Sequence, residues 1–108
     1  VYSDEYQRTG FQGGLQWYRT RFDPTVNADL GLFSGRRIDV PALFIAGASD
    51  WGIHQSPGAF ERMQASACSR LVGCHLIAGA GHWVQQEQPD KVAALLLEFM
   101  ERAGTGGR

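Results

Sequence analysis

The sequence predicts an α/β fold: half of a doubly wound parallel sheet, preceded by a helical segment. Three observations carry that expectation. Ala42-Leu43-Phe44-Ile45-Ala46 and Leu71-Val72-Gly73-Cys74-His75-Leu76-Ile77 run apolar without strict alternation, the pattern of parallel strands buried on both faces. A helical pattern follows each of them, so the order from Val40 onward is strand, helix, strand, helix. Before Val40 the composition is aromatic and the apolar spacing helical. Two strands are too few to be covered on both faces, so further strands are expected beside them, outside this chain.

The elements are justified in order. Ser3 is expected to cap a first short helix, with Asp4 and Glu5 in its first turn and Thr9-Gly10 as its stop. Tyr2 and Tyr6 bracket that turn and can share a face. Phe11, Leu15, Tyr18 and Phe22 recur at helical steps and predict a second helix, weakened at its start by Gly13 and Gly14 and ended at Asp23-Pro24. Residues 25–38 have no clear period and read as a connector, with one helical turn around Asn27 to Leu32. Pro41 opens the first strand, which ends in Gly47-Ala48-Ser49-Asp50. Ser56-Pro57 signals a helix running to about Ala67 and burying Phe60 and Met63. The second strand ends at Ile77. Pro89-Asp90 starts the last helix, whose stripe Val92, Leu95, Leu96, Phe99 and Met100 extends to Gly104. Residues 105–108 are expected to be a disordered tail.

Composition bounds the function. Of 108 residues, 44% are hydrophobic and 19% charged, a globular balance. A formal net charge of −1 supplies no field for nucleic acid or an anionic membrane. No run approaches the roughly 18 apolar residues of a membrane span. No signal-peptide pattern is visible, and a start at Val1 rather than Met leads to the expectation that the natural beginning lies upstream. Cys68 and Cys74 fit no zinc or C-x-x-C pattern and read as free packing thiols, with a single disulfide left open.

The chemistry-bearing pattern is Asp50 with His82. Each follows the carboxyl end of a buried strand, the edge of an open α/β sheet where ligands and reacting groups collect. The small residues of Ala78-Gly79-Ala80-Gly81 let the backbone turn sharply before the imidazole. Histidine titrates close to neutral pH and can act as a general base. If right-handed crossover makes the strands neighbours, the carboxylate can meet the ring, fix its tautomer and stabilise the imidazolium.

Three segments carry a resemblance. Gly10-Phe11-Gln12-Gly13-Gly14-Leu15-Gln16-Trp17-Tyr18-Arg19 resembles a G-F-x-G-x-L-N-W-Y-R run that closes the cap domain of epoxide hydrolases. Val40-Pro41-Ala42-Leu43-Phe44-Ile45 with Asp50 resembles the strand and acid of an α/β-hydrolase triad. Gly79-Ala80-Gly81-His82-Trp83-Val84-Gln85-Gln86-Glu87-Gln88-Pro89 is similar to the histidine loop of that superfamily. Across residues 1–103 the chain thus resembles the C-terminal part of an α/β-hydrolase fold epoxide hydrolase. The resemblance implies that 1–24 ends a helical cap domain, 25–38 connects, and 39–104 is the C-terminal part of the core.

The same resemblance implies roles. His82 would activate the water that hydrolyses a covalent aspartyl ester, and Asp50 would orient His82. Tyr2, eight positions before Gly10, would be one of two cap tyrosines that donate to the epoxide oxygen. Gln16 and Gly14 depart from the asparagine and proline frequent in the family. No Gly-x-Ser-x-Gly or Gly-x-Asp-x-Gly elbow occurs, so the nucleophile is expected outside this chain. The implied partners are a small-molecule epoxide, water, the N-terminal half of the same enzyme and, as an open expectation, a second copy in a homodimer. No metal, cofactor, nucleic acid or membrane is expected, and the location expected is cytoplasmic. A haloalkane or haloacid dehalogenase or a serine esterase would share Asp50 and His82 but need no Tyr2. A non-catalytic α/β interaction domain would keep Asp50 and His82 apart.

Overall fold

The computed structural model describes residues 1–105, and the chain divides into two compact units, one over 1–35 and one from Arg36 onward. The division falls within the stretch read as a connector. The tail residues 106–108 lie outside the described residues.

In the first unit, α1 spans Tyr2–Thr9 and α2 spans Gln12–Phe22. Ser3 does not cap α1. The Glu5 N–H already donates to the Val1 carbonyl at 3.2 Å, so the helix starts from Val1 and Ser3 lies inside its first turn. Gly10 ends α1 at φ 68, a left-handed value open to glycine, and its N–H closes on the Tyr6 carbonyl at 2.8 Å. The Tyr6 and Phe11 rings stack across this turn with centroids 4.6 Å apart. Asp23 both ends α2 and begins α3 (Pro24–Asn27). Its N–H donates to the Arg19 carbonyl, while its Oδ1 accepts from the Thr25 N–H at 2.9 Å and the Thr25 hydroxyl at 2.6 Å. Pro24 occupies the first helical position, where a missing N–H costs nothing. A 3-10 turn over Asp29–Phe33 follows, so this stretch holds more helix than the one turn expected.

In the second unit, β1 (Ala42–Gly47) and β2 (Leu71–Ile77) pair in parallel, from Leu43 opposite Gly73 to Gly47 opposite Ile77. The register shifts between Ala42 and Leu43, and an isolated bridge joins Ile38 to Cys68 ahead of the strands. Ser56-Pro57 does not start a helix. Ser56, Pro57, Gly58 and Ala59 form a β-turn, with Gly58 at φ 76 and ψ −5 and the Ala59 N–H donating to the Ser56 carbonyl at 3.0 Å. Proline followed by a left-handed glycine is the signature of a type II turn, and it postpones the helix. α4 covers Ala59–Arg62 and passes into a π-helical turn over Met63–Ala67. After β2 come α5 (Val84–Glu87) and α6 (Pro89–Thr105), which carries one residue beyond the expected end at Gly104.

Successive residues of a strand point to opposite faces. Phe44 meets Phe60 of α4 with ring centroids 5.4 Å apart, whereas Leu43 and Gly73 line a groove with Leu95 and Phe99 of α6. Helices therefore lie on both faces of the sheet. Within α6 the expected stripe splits. Val92, Leu95 and Phe99 are half-buried, while Leu96 and Met100 stay exposed. Strand burial on both faces is likewise incomplete. Ala42 to Ile45 are half-buried, because β1 has one strand neighbour among the described residues, and a groove of about 580 Å³ is lined in part by Phe44, Ile45 and Ala46. Cys68 and Cys74 are free thiols, and burial pushes the Cys74 thiol up.

The strand ends are joined by a close backbone approach. A Cβ on Gly47 would stand 2.2 Å from the Gly81 carbonyl oxygen and 2.3 Å from that of Ala80. Ala80 is 2% exposed, and its carbonyl accepts from the Ser49 N–H at 3.0 Å. Gly47→Ala should therefore push the loop after β2 off the end of β1. We expect a loss of about 1–3 kcal/mol, the usual range for overpacking, read by urea denaturation of the protein.

Candidate active site

Parallel pairing with Gly47 opposite Ile77 places the two following loops side by side. Asp50 heads a 3-10 turn over Trp51–His54, and its Oδ1 accepts from the Gly52 N–H at 2.8 Å. That bond locks the carboxylate at the turn. On the neighbouring loop, Gly79 at φ 77 bends the chain out of β2, and Ala80 anchors it beneath Gly47. His82 then projects beside Asp50.

His82 Nδ1 lies 3.2 Å from Asp50 Oδ1 and 3.3 Å from Oδ2. An ionised carboxylate only accepts, so the proton of the neutral ring sits on Nδ1 and donates to Asp50. Nε2 is then left with its lone pair, the state of a general base. The partners differ in exposure: 12% for the Asp50 side chain and 54% for that of His82. The carboxylate is thus sheltered while the imidazole reaches solvent. The non-catalytic alternative predicts these side chains apart, and they are in hydrogen-bond contact.

Two indoles flank the ring. Trp51 stacks on His82 with centroids 5.8 Å apart and planes 18° from parallel, and Trp83 meets it edge-on at 5.3 Å. The sequence reading passed over Trp51, although its position directly after Asp50 is a signal that could have found it. It also passed over Gly47 as a contact point and Glu87 as a partner of the loop. The Gly81 N–H donates to Glu87 Oε2 at 2.6 Å.

Tyr2 stands at the first position of α1 in the other unit, 84% exposed, beside a shallow recess shared with Tyr6 and Phe11. Among the described residues, no group of three or more His, Cys, Asp and Glu side chains could hold a metal ion. Among the same residues, no helix is long and apolar enough to cross a membrane.

The Gly52 N–H is the largest cause holding the Asp50 carboxyl below its ordinary value; burial opposes it, and the hydrogen bond and charge of His82 reinforce it. A carboxyl with a lowered folded value stabilises the fold fully above its ordinary value, and that contribution is lost as pH falls through the lowered one. Stability curves of the parent protein and Asp50→Asn, measured by denaturation across that acid range, should differ most above the ordinary aspartate value and converge below the lowered one.

No protein-family model matches the chain, and no solved structure matches it. It is 46% identical over 104 residues to epoxide hydrolase A of Mycobacterium tuberculosis (strain H37Rv), covering 92% of this chain and 29% of that protein. It is 38% identical over 99 residues to epoxide hydrolase B of the same strain, covering 92% of this chain and 27% of that protein. Identity is 36% over 98 residues to an epoxide hydrolase of Caballeronia sordidicola, with 89% and 28% covered. The chain thus spans less than a third of the length of these relatives. Along nine-tenths of its residues, this chain is similar to a stretch of these epoxide hydrolases.

Proposed function

We propose that the protein containing this chain opens epoxides to vicinal diols through a covalent ester. The observation that carries the reading is the contact of His82 Nδ1 with Asp50, which leaves Nε2 able to take a proton from water. In the first step, a carboxylate oxygen from the part of the enzyme outside this chain attacks an epoxide carbon. The carbon–oxygen bond of the ring breaks, and the leaving oxygen takes a proton from a phenol, assigned to Tyr2. In the second step, His82 Nε2 accepts a proton from water as that water attacks the ester carbonyl. The ester opens, and the proton left on the acyl group passes to the departing alkoxide, so that the diol leaves and the carboxylate returns. The imidazolium of His82 and the phenolate of Tyr2 become neutral again by proton exchange through water. Asp50 holds the tautomer and balances the imidazolium.

We further propose that 39–104 completes a larger α/β-hydrolase sheet and that 1–24 closes a cap domain. The single strand neighbour of β1 among the described residues supports the first part of this reading. An unpaired strand edge exposes backbone donors and acceptors, which another strand would satisfy.

Single-turnover kinetics with mass detection of the intermediate test the mechanism in the complete enzyme. His82→Gln should form the ester and accumulate it, with hydrolysis slowed by about 10²–10⁴, the usual contribution of a positioned base. Asp50→Asn should act in the same direction more weakly. Tyr2→Phe should slow ester formation and leave breakdown unchanged, because alkoxide charge develops only during ring opening. A His82→Gln enzyme that accumulates no ester would refute the two-step mechanism. A Tyr2→Phe enzyme alkylating at the parent rate would remove Tyr2 from it.

A further inference from the structure

His82 is more than half exposed, so burial does not hold its ring in place. Its position comes from the backbone of the loop that carries it. That loop is anchored at Ala80, which is buried under Gly47, but the next residue is Gly81, with the greatest backbone freedom of any residue type. Gly81 is therefore the point at which the loop could swing His82 away from Asp50.

The structure ties down this point from the far side of the histidine. After His82 the chain enters α5, and Glu87, its last residue, returns a carboxylate to the Gly81 N–H at 2.6 Å. At this distance the bond lies at the short end of the N–H···O range. Its neighbour Gln88 donates from Nε2 to the Gly79 carbonyl at 3.4 Å, adding a second, longer tie to the same loop. The Gln88 N–H is itself held by the Val84 carbonyl at 2.9 Å, and the Gln88 carbonyl accepts from Val92 of α6 at 3.1 Å. The clasp is thus anchored in helical backbone, and His82 sits inside the closed ring from Gly81 to Glu87.

We infer that Glu87 is a positioning residue: by holding the Gly81 N–H it keeps His82 against Asp50 for the hydrolytic step. It touches neither substrate nor water in this role. The inference rests on the two-step reading proposed above, and it separates reach from charge. Glu87→Gln keeps a carbonyl acceptor at the same reach and loses the charge. Glu87→Asp keeps the charge but is one methylene shorter, which withdraws the oxygen beyond hydrogen-bond distance.

Two measurements on the complete enzyme decide it. In single-turnover kinetics, Glu87→Asp should slow ester breakdown by about ten- to a hundredfold, the scale of a misplaced reacting group, with ester formation at the parent rate. Glu87→Gln should keep both rates. A purely structural role would disturb both steps and would not be rescued by glutamine. In proton NMR without substrate, the downfield His82 Nδ1–H signal should be sharp in the parent and in Glu87→Gln and broadened in Glu87→Asp. An unchanged signal in Glu87→Asp, a parent spectrum without it, or a Glu87→Gln enzyme as impaired as Glu87→Asp would overturn the inference. His82→Gln is run alongside. If it accumulates no ester, the functional reading fails, and the NMR comparison still decides the clasp.

Discussion

The arrangement of the second unit depends on the parallel pairing of β1 with β2 and its register at the strand ends. Gly47 opposite Ile77 brings the two outgoing loops into contact, and the missing Cβ at Gly47 lets the Ala80-Gly81 backbone pack against the end of β1. A side chain there would occupy the space of two carbonyl oxygens. The Asp50–His82 hydrogen bond is a consequence of that approach. Side chains 32 positions apart meet because their backbones are already docked.

Around this contact, backbone N–H groups and carboxylates do the positioning. The Gly52 N–H holds Asp50, and Glu87 holds the Gly81 N–H beside His82. Both ties are local, two and six residues long, so each loop carries its own restraint. Local restraint suits a site at the rim of a sheet, where little apolar burial is available to fix side chains. The His82 side chain remains more than half exposed, while that of Asp50 is sheltered.

The apolar surface tells of a different constraint. Buried hydrophobic residues among those described include only small or medium side chains, Ala46, Cys68, Ile77 and Ala80, while Leu97, Met100, Trp51 and Trp83 are largely exposed. A two-stranded sheet with a helix on each face has too little interior to enclose large side chains. That agrees with a chain matching less than a third of the length of its relatives.

By itself the sequence determined the elements whose signals are local. The continuous apolar run 71–77 coincides with β2, Asp23-Pro24 with the break between α2 and α3, and Pro89 with the start of α6. Each reports a property of the backbone nearby. Asp50 and His82 were legible as a pair because strand order and crossover handedness limit which loop tips can be neighbours. Local competition defeated other readings: Gly58 turned Ser56-Pro57 into a β-turn instead of a helix cap, and Val1 began α1 ahead of Ser3. Tertiary structure alone decided that Gly47 lies under the Ala80-Gly81 peptide, that Trp51 stacks on His82 and that Glu87 closes the histidine loop. It also decided that the stripe of α6 divides into a half-buried row and an exposed one. These are distances through space, and a linear pattern of residue types specifies which contacts are allowed without specifying which surfaces are close enough to make them.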